Sequence, residues 1–257
     1  MTSKNDDTKI TLIGTNHVSE HSANTVEEEI RAIRPDLVCV ELCNSRVEML
    51  DLVGKAESGR SIIDILQYLR PMNNTTRAIV LFLGIPQLVL RKLNRLEQGD
   101  MERGIATAQD IGSDWDAIDE DIYESSSDLS EVIAPNGIIR ALRSFLSGDA
   151  EALDTLDKYD EAVEQSEFSS EELHPSNLSE GPNDALFEAH RIMRDTGSDV
   201  YRVLVSERNE AMVARLAEHA RSDDVGSIVC VVGRLHVPGM VERFEDAFEP
   251  GTVVKIV

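Results

Sequence analysis

Lysine is scarce in this chain: Lys4, Lys9, Lys55, Lys92, Lys158 and Lys255 are all there are in 257 residues. Together Lys and Arg number 25 against 48 Asp and Glu, which leaves a formal net charge of −23. That balance excludes a nucleic-acid-binding protein, because phosphate contacts need clustered cations. Dispersed acid with little lysine is the surface of a protein kept soluble in concentrated salt, where screening blunts self-repulsion. Cysteine is sparse too. Cys39, Cys43 and Cys230 are odd in number and lack paired spacing, which excludes a disulfide framework and a zinc ribbon. Small buried residues in a reducing cytosol are expected instead. Long apolar runs are also missing. The longest, Ala78 to Leu90, is too short for a membrane span and is interrupted by Gly84 and Pro86. The opening MTSKNDDTK has no apolar signal core. A cytoplasmic protein with no transmembrane segment is expected.

Hydrophobic residues make up 41% of the chain, enough for a real core. Lys9 to Gly14 reads as a β-strand, and Leu37 to Leu42 (LVCVEL) as a second, buried one. Between them, Thr25 followed by Glu28 reads as a capping box that opens a helix over Val26 to Arg34, stopped by Pro35. A strand–helix–strand unit of this kind implies a parallel pair. Helical spacing recurs over Ser61–Leu69, Thr76–Leu96, Asp100–Ile111, Ile138–Leu146, Ala150–Val163, Ala185–Arg194 and Val200–Ala220. A third strand is expected near Trp115–Ile118, a fourth over Ser227–Val232 and a last over Val253–Val257, with a helix over Val237–Phe248. The expected fold is one α/β domain, residues 1–257. Its parallel or mixed central sheet is built from N- and C-terminal strands (9–60 and 199–257) and flanked by helices. Residues 61–198 form a mainly helical insertion or cap, with mobile acidic loops near 119–131 and 165–183.

The chemistry gathers where the strands end. TLIGTNHV places His17 three residues after Gly14, and CVVGRLHV places His236 three residues after Gly233. Both histidines follow an apolar strand, and glycine lets the chain leave a strand sharply beside a ligand. Parallel sheets bind ligands at their carboxyl ends. His17, His236 and Glu41, which closes LVCVEL, would all meet there. Two histidines and a carboxylate form a common divalent-metal set with coordination positions left open, and the set suits Zn, Mn, Co or Fe. Structural roles compete with this: both histidines could bond loop backbone, and Glu41 could cap the turn at Asn44 and Ser45. Arg46 could pair with Glu41 or hold an anionic group. Further on, Glu207 lies on a stripe with Val200, Leu204 and Ala211, and Arg208 on one with Val205 and Met212. The other histidines (His21, His174, His190 and His219) read as surface residues.

The segment IGTNHVSEHSANTVEEEIRAIRPDLVCVELCNSRVEML resembles the opening motif of the TraB/PrgY (pheromone-shutdown) family. LVSERNEAM resembles that family's ER-D-x-x-M helix, with Asn209 in place of Asp, and VVGRLHVPGM resembles its closing G-x-x-H-x-x-G segment. The family belongs with the TIKI proteases, the erythromycin esterases and the ChaN-like proteins. This resemblance implies a parallel α/β core and metal-dependent hydrolysis, with Gly14, His17, Glu41, Arg46, Glu207, Arg208, Gly233 and His236 as the residues carried over. The chain departs from the pattern at AIDEDI, where Glu120 replaces a customary Arg. Prokaryotic members commonly carry a hydrophobic membrane-spanning tail. None occurs up to Val257, so the expectation is either a soluble paralogue or a chain that lacks that half.

The function expected from the sequence is a metal-dependent, peptidase-like hydrolase. His17, His236 and Glu41 would hold the ion, Glu207 would serve as base, and Arg46 or Arg208 would hold a substrate carboxylate or the developing oxyanion. Two alternatives stand beside it: a protein that sequesters a peptide or small ligand without turnover, and a metal-free hydrolase with a histidine base. Assembly into a homo-oligomer is left open.

Overall fold

The computed structural model describes residues 8–15, 20–47, 99–121, 172–173, 190, 194, 201–248 and 252–257. The helices expected at Ser61–Leu69, Thr76–Leu96, Ile138–Leu146 and Ala150–Val163 lie outside them. So do most of Ala185–Arg194 and most of the two loops near 119–131 and 165–183.

Two apolar runs build the centre of the sheet. β1 (Lys9–Thr15) and β5 (Ser227–Gly233) pair in parallel along their whole length, Lys9 with Ser227 through to Thr15 with Gly233. β2 (Leu37–Val40) joins the other side of β5, and β3 (Asp114–Ala117) joins β2. On the far side, β6 (Val253–Ile256) pairs in parallel with β1, and a two-residue strand β4 (Glu172–Leu173) adds antiparallel to β6. The order is therefore β3-β2-β5-β1-β6-β4. Five strands run parallel, so their carboxyl ends share one edge.

A parallel sheet must be covered on both faces, and the sequence supplies apolar residues for each. Ile228, Cys230 and Val232 of β5 face one layer, while Val229 and Val231 face the other. The first layer holds α3 (Glu207–Ala220) and α4 (Val237–Ala247) through Met212, Leu216, Met240 and Phe244. The second holds α1 (Glu20–Ile33) and α2 (Asp100–Ile111) through Val26, Ile30, Met101 and Ala108. Burying each of these larger side chains contributes about 1.5–3 kcal/mol. Cys39, Cys43 and Cys230 are free and buried.

Helix ends follow local chemistry, with one correction to the sequence reading. Thr25 is not a cap. α1 starts at Glu20, and the Thr25 hydroxyl donates to the His21 carbonyl one turn back, at 3.0 Å. That bond is an alternative use of a mid-helix Thr. At α2 the Glu102 carboxylate reaches back to the Gly99 N–H (2.6 Å), and Gly112 ends the helix in the left-handed conformation (φ 78°). Residues 99–117, inside the stretch expected as a cap, thus supply both a covering helix and a sheet strand. No helix among the described residues is long and apolar enough to cross a membrane.

Candidate functional site

The parallel register carries the ends of β1, β2, β3 and β5 to one edge, and polar side chains converge there. Glu41 is the first residue after β2. Its N–H donates to the Val231 carbonyl (3.0 Å), and its Oε2 accepts from the Gly233 N–H (2.6 Å). Glu41 therefore ties the end of β2 to the end of β5. Just past β5, a single 3₁₀ turn (Arg234–His236) swings His236 back over that edge. His236 Nε2 lies 3.2 Å from Glu41 Oε1.

The third element is a helix with an unusual start. Arg202–Ser206 is a π-helix that runs directly into α3. The wide π turn offsets the phase of Val203 and Val205 from the inward face that follows, Asn209, Met212 and Leu216. It delivers Arg208 and Asn209 to the carboxyl edge. Arg208 binds Asp119 with both edges of its fork, Nε to Oδ1 (2.9 Å) and Nη2 to Oδ2 (2.6 Å), and Nη2 also donates to Glu41 Oε1 (2.5 Å). Asn209 Oδ1 accepts from His236 Nδ1–H at 2.7 Å. Arg46 Nη1 adds contacts to the Glu41 carbonyl (3.3 Å) and to Asp119 Oδ2 (3.2 Å).

The cluster is almost dry. The side chains of Glu41 and Asp119 are only 4% and 3% exposed, and that of Arg208 16%. Burial opposes the charge on Arg208, but the facing carboxylates of Glu41 and Asp119 outweigh it and hold the guanidinium protonated above its ordinary range. Two carboxylates face two guanidinium groups, so the buried charges balance.

Two contacts are met by the neutral ring of His236 with its proton on Nδ1. Asn209 Oδ1 can only accept, so Nδ1 carries a proton. Arg208 Nη1, 3.3 Å from Nε2, can only donate, so Nε2 offers a lone pair. Glu41 Oε1, which already accepts from Arg208 Nη2, then faces Nε2 at 3.2 Å and gains a second donor when Nε2 takes up a proton.

The residues expected from the sequence divide into three groups. Glu41, Arg46, Arg208 and His236 come together, and Gly233 supplies the N–H that anchors Glu41. Gly14 lies one residue before the end of β1, where its N–H donates to the Val257 carbonyl (2.9 Å), while His17 falls outside the described residues. Glu207 stands apart: it is about one-third exposed and pairs with Arg202. The expected base is therefore not among the groups that meet His236. Arg208, expected to hold a substrate group, directs its donors to Asp119, Glu41 and His236.

Asp119 and Asn209 were missed as site residues. Asp119 opens a run read as an acidic loop, yet it follows the apolar end of β3 as Glu41 follows that of β2, and that parallel was the usable signal. His190, read as a surface residue, is buried, with Tyr201 Oη 3.1 Å from its Nε2. His21 is exposed, and His219 is partly exposed and bonded to Asp116.

The divalent ion implied by the resemblance meets a mixed environment. Glu41 Oε1 and His236 Nε2 are of the right type, and 3.2 Å suits two neighbouring ligands of one ion. Asn209 Oδ1 on Nδ1–H supplies the kind of oxygen acceptor that holds the other ring nitrogen of a ligating histidine. Yet the Arg208 guanidinium stands against both donor atoms, where the charge of an ion would sit. Among the described residues, no group of three His, Cys, Asp or Glu side chains could hold a metal. Glu41 and His236 thus supply two donors, with Arg208 beside both, and the third expected ligand, His17, lies outside the described residues.

Residues 1–69 match the model of the TraB/PrgY/gumN family. Over 249 residues the chain is 26% identical to an uncharacterized protein of Methanocaldococcus jannaschii, covering 96% of this chain and 56% of that protein. Over 47 residues, 18% of this chain, it is 43% identical to the TraB domain-containing proteins of Mus musculus and Homo sapiens, whose length it covers to 12%. The chain thus spans about half the archaeal relative and a small part of the mammalian ones. Over its N-terminal residues 1–69, which include β1, α1 and β2 of the parallel sheet, the chain is similar to the TraB/PrgY/gumN family.

Proposed function

We propose that this chain is a hydrolase of peptide-like or other small carbonyl substrates, with His236 Nε2 as its base. The observation that carries the reading is the contact of Nε2 with Glu41 Oε1, 3.2 Å, in a histidine whose Nδ1–H is already committed to Asn209. Nε2, giving up its contact with Arg208 Nη1, removes a proton from water as the water oxygen bonds to the substrate carbonyl carbon and the carbonyl π pair moves onto oxygen. The new Nε2–H hydrogen-bonds to Glu41 Oε1, which stabilises the imidazolium formed. The same proton passes to the departing amine or alkoxide as the bond to carbon breaks. Arg208 holds Glu41 and Asp119 in place. Arg46, one-quarter exposed and engaged among the described residues only through Nη1, is the cation available to a substrate carboxylate or the oxyanion.

The test uses the full chain with a mixed peptide library and p-nitrophenyl acetate. His236→Ala should lower turnover by about 10²–10⁴-fold, the usual share of a positioned base. Peptide bound and recovered intact after long incubation would replace this reading with that of a sequestering protein.

A second reading retains a divalent cation, held by His236 and Glu41 together with His17. The 3.2 Å spacing of the two donors favours it, as does the register that sets β1 beside β5. A bound ion would supply an acidified water. Turnover lost to a chelator and restored by Mn²⁺ or Zn²⁺ would select this reading, and turnover unchanged by the chelator would select the first.

A further inference from the structure

Gly239 lies in the first turn of α4, three residues after His236. Glycine is a poor helix former beside alanine. Its backbone does not require glycine either, since Gly112 is the one described glycine with a positive φ. Space requires it. A Cβ on Gly239 would overlap Asn209 Nδ2 and stand 2.8 Å from His190 Cε1 and 3.3 Å from Asn209 Cγ.

Asn209 is fully buried, and its amide has two different ends. Oδ1 accepts from His236 Nδ1–H. Nδ2 has no hydrogen-bond partner among the described residues and lies in the volume that a side chain at position 239 would fill. One end of the amide is thus held by a hydrogen bond and the other by close packing on the bare Cα. His190, bonded to Tyr201, would be met by the same added side chain.

We infer that Gly239 is a positioning residue for His236: its missing side chain gives the Asn209 amide the room to hold Nδ1–H, which keeps the Nε2 lone pair on the Glu41 side. The inference rests on the reading of His236 as the reactive group, and it makes Gly239 act through Asn209 alone.

The experiment is long-range ¹H–¹⁵N spectroscopy of the His236 ring in the ¹⁵N-labelled full chain, with p-nitrophenyl acetate turnover measured in parallel. Wild type should show a protonated Nδ1 and an unprotonated Nε2. Gly239→Ala should lose that pattern, as should Asn209→Ala. In an Asn209→Ala background, Gly239→Ala should change the His236 spectrum no further. An unchanged spectrum in Gly239→Ala, or an equal additional change in the Asn209→Ala background, overturns the inference. Should Gly239→Ala fail to fold, the double variant is read in its place. Folded with the Asn209→Ala spectrum, it supports the inference; unfolded, it assigns Gly239 to packing alone and overturns it. A changed spectrum in a chain that never hydrolyses the ester refutes the hydrolase reading and leaves the positioning role. Turnover with an unaltered spectrum does the reverse.

Discussion

The two ends of the sheet carry nearly the same trio. At the carboxyl edge, Glu41, Arg208 and His236 meet. At the amino edge, Asp116 Oδ2 accepts from His219 Nε2 (2.7 Å) and from Arg215 Nε (3.2 Å). One helix, α3, supplies the arginine of both, and the contact distances overlap. Exposure separates them: Arg215 is 52% exposed and Asp116 26%, beside an open groove of about 670 Å³ lined by Arg34, Trp115 and Asp224. An acid, a base and a guanidinium therefore do not define a site by identity. Removal from water converts such a trio from a screened surface network into one whose protons and charges are tightly specified.

The largest test of that contrast is removal of each arginine. Arg208→Met leaves Glu41 and Asp119 buried without their principal counter-charge. Breaking a buried pair in this way costs about 3–5 kcal/mol. Arg215→Ala removes a surface partner and should cost no more than about 1 kcal/mol. Urea unfolding followed by circular dichroism reads both as shifts in midpoint. Equal shifts would mean that burial does not separate the two ends.

Salt sharpens the same contrast with a smaller effect. Raising KCl from ~0.1 M to ~1 M shortens the screening length from about 10 Å to 3 Å. The Arg215→Ala penalty should vanish in the higher salt, while that of Arg208→Met should persist. The wild-type melting temperature should itself rise, because a net charge of −23 repels itself less. A melting temperature that stays level or falls with KCl would remove the high-salt reading of the composition.

The sequence disclosed the scaffold more fully than the wiring. Strands such as Ser227–Gly233 are legible because a sheet covered on both faces needs continuous apolar runs, and such runs are visible one residue at a time. Glu41 and His236 are legible because each ends such a run. Asp119 was hidden by its neighbours: DEDIYESSSD reads as solvated acid, and only the pairing of β3 with β2 shows that its first residue lies opposite a guanidinium. Glu207 misled for a related reason. An α-helical stripe counted back through residues 202–206 ignores the π turn, which alters the phase before α3 begins. His190 was misplaced because it reaches the core at Gly239, a contact between segments about 50 residues apart that no local pattern records.

His190 gives the smallest expected effect, and it bears on the same lesson of burial. Desolvation lowers its pKa from the ordinary 6.5, opposed by the charge of Glu242 and aided by Arg194 and Arg243, with Tyr201 as its hydrogen-bond partner. In the unfolded chain the ring titrates near 6.5; in the folded chain it resists protonation until a lower pH. Between those values the unfolded state binds more protons, so stability must rise with pH. The contribution of His190 is therefore complete above about 6.5 and declines as the pH falls toward the folded value. Unfolding midpoints taken from pH 7.5 down to 5, spanning the His range, should fall in wild type and fall less steeply in His190→Gln. If the profile of His190→Gln is as steep as that of wild type, the buried histidine is not the one that couples protonation to folding.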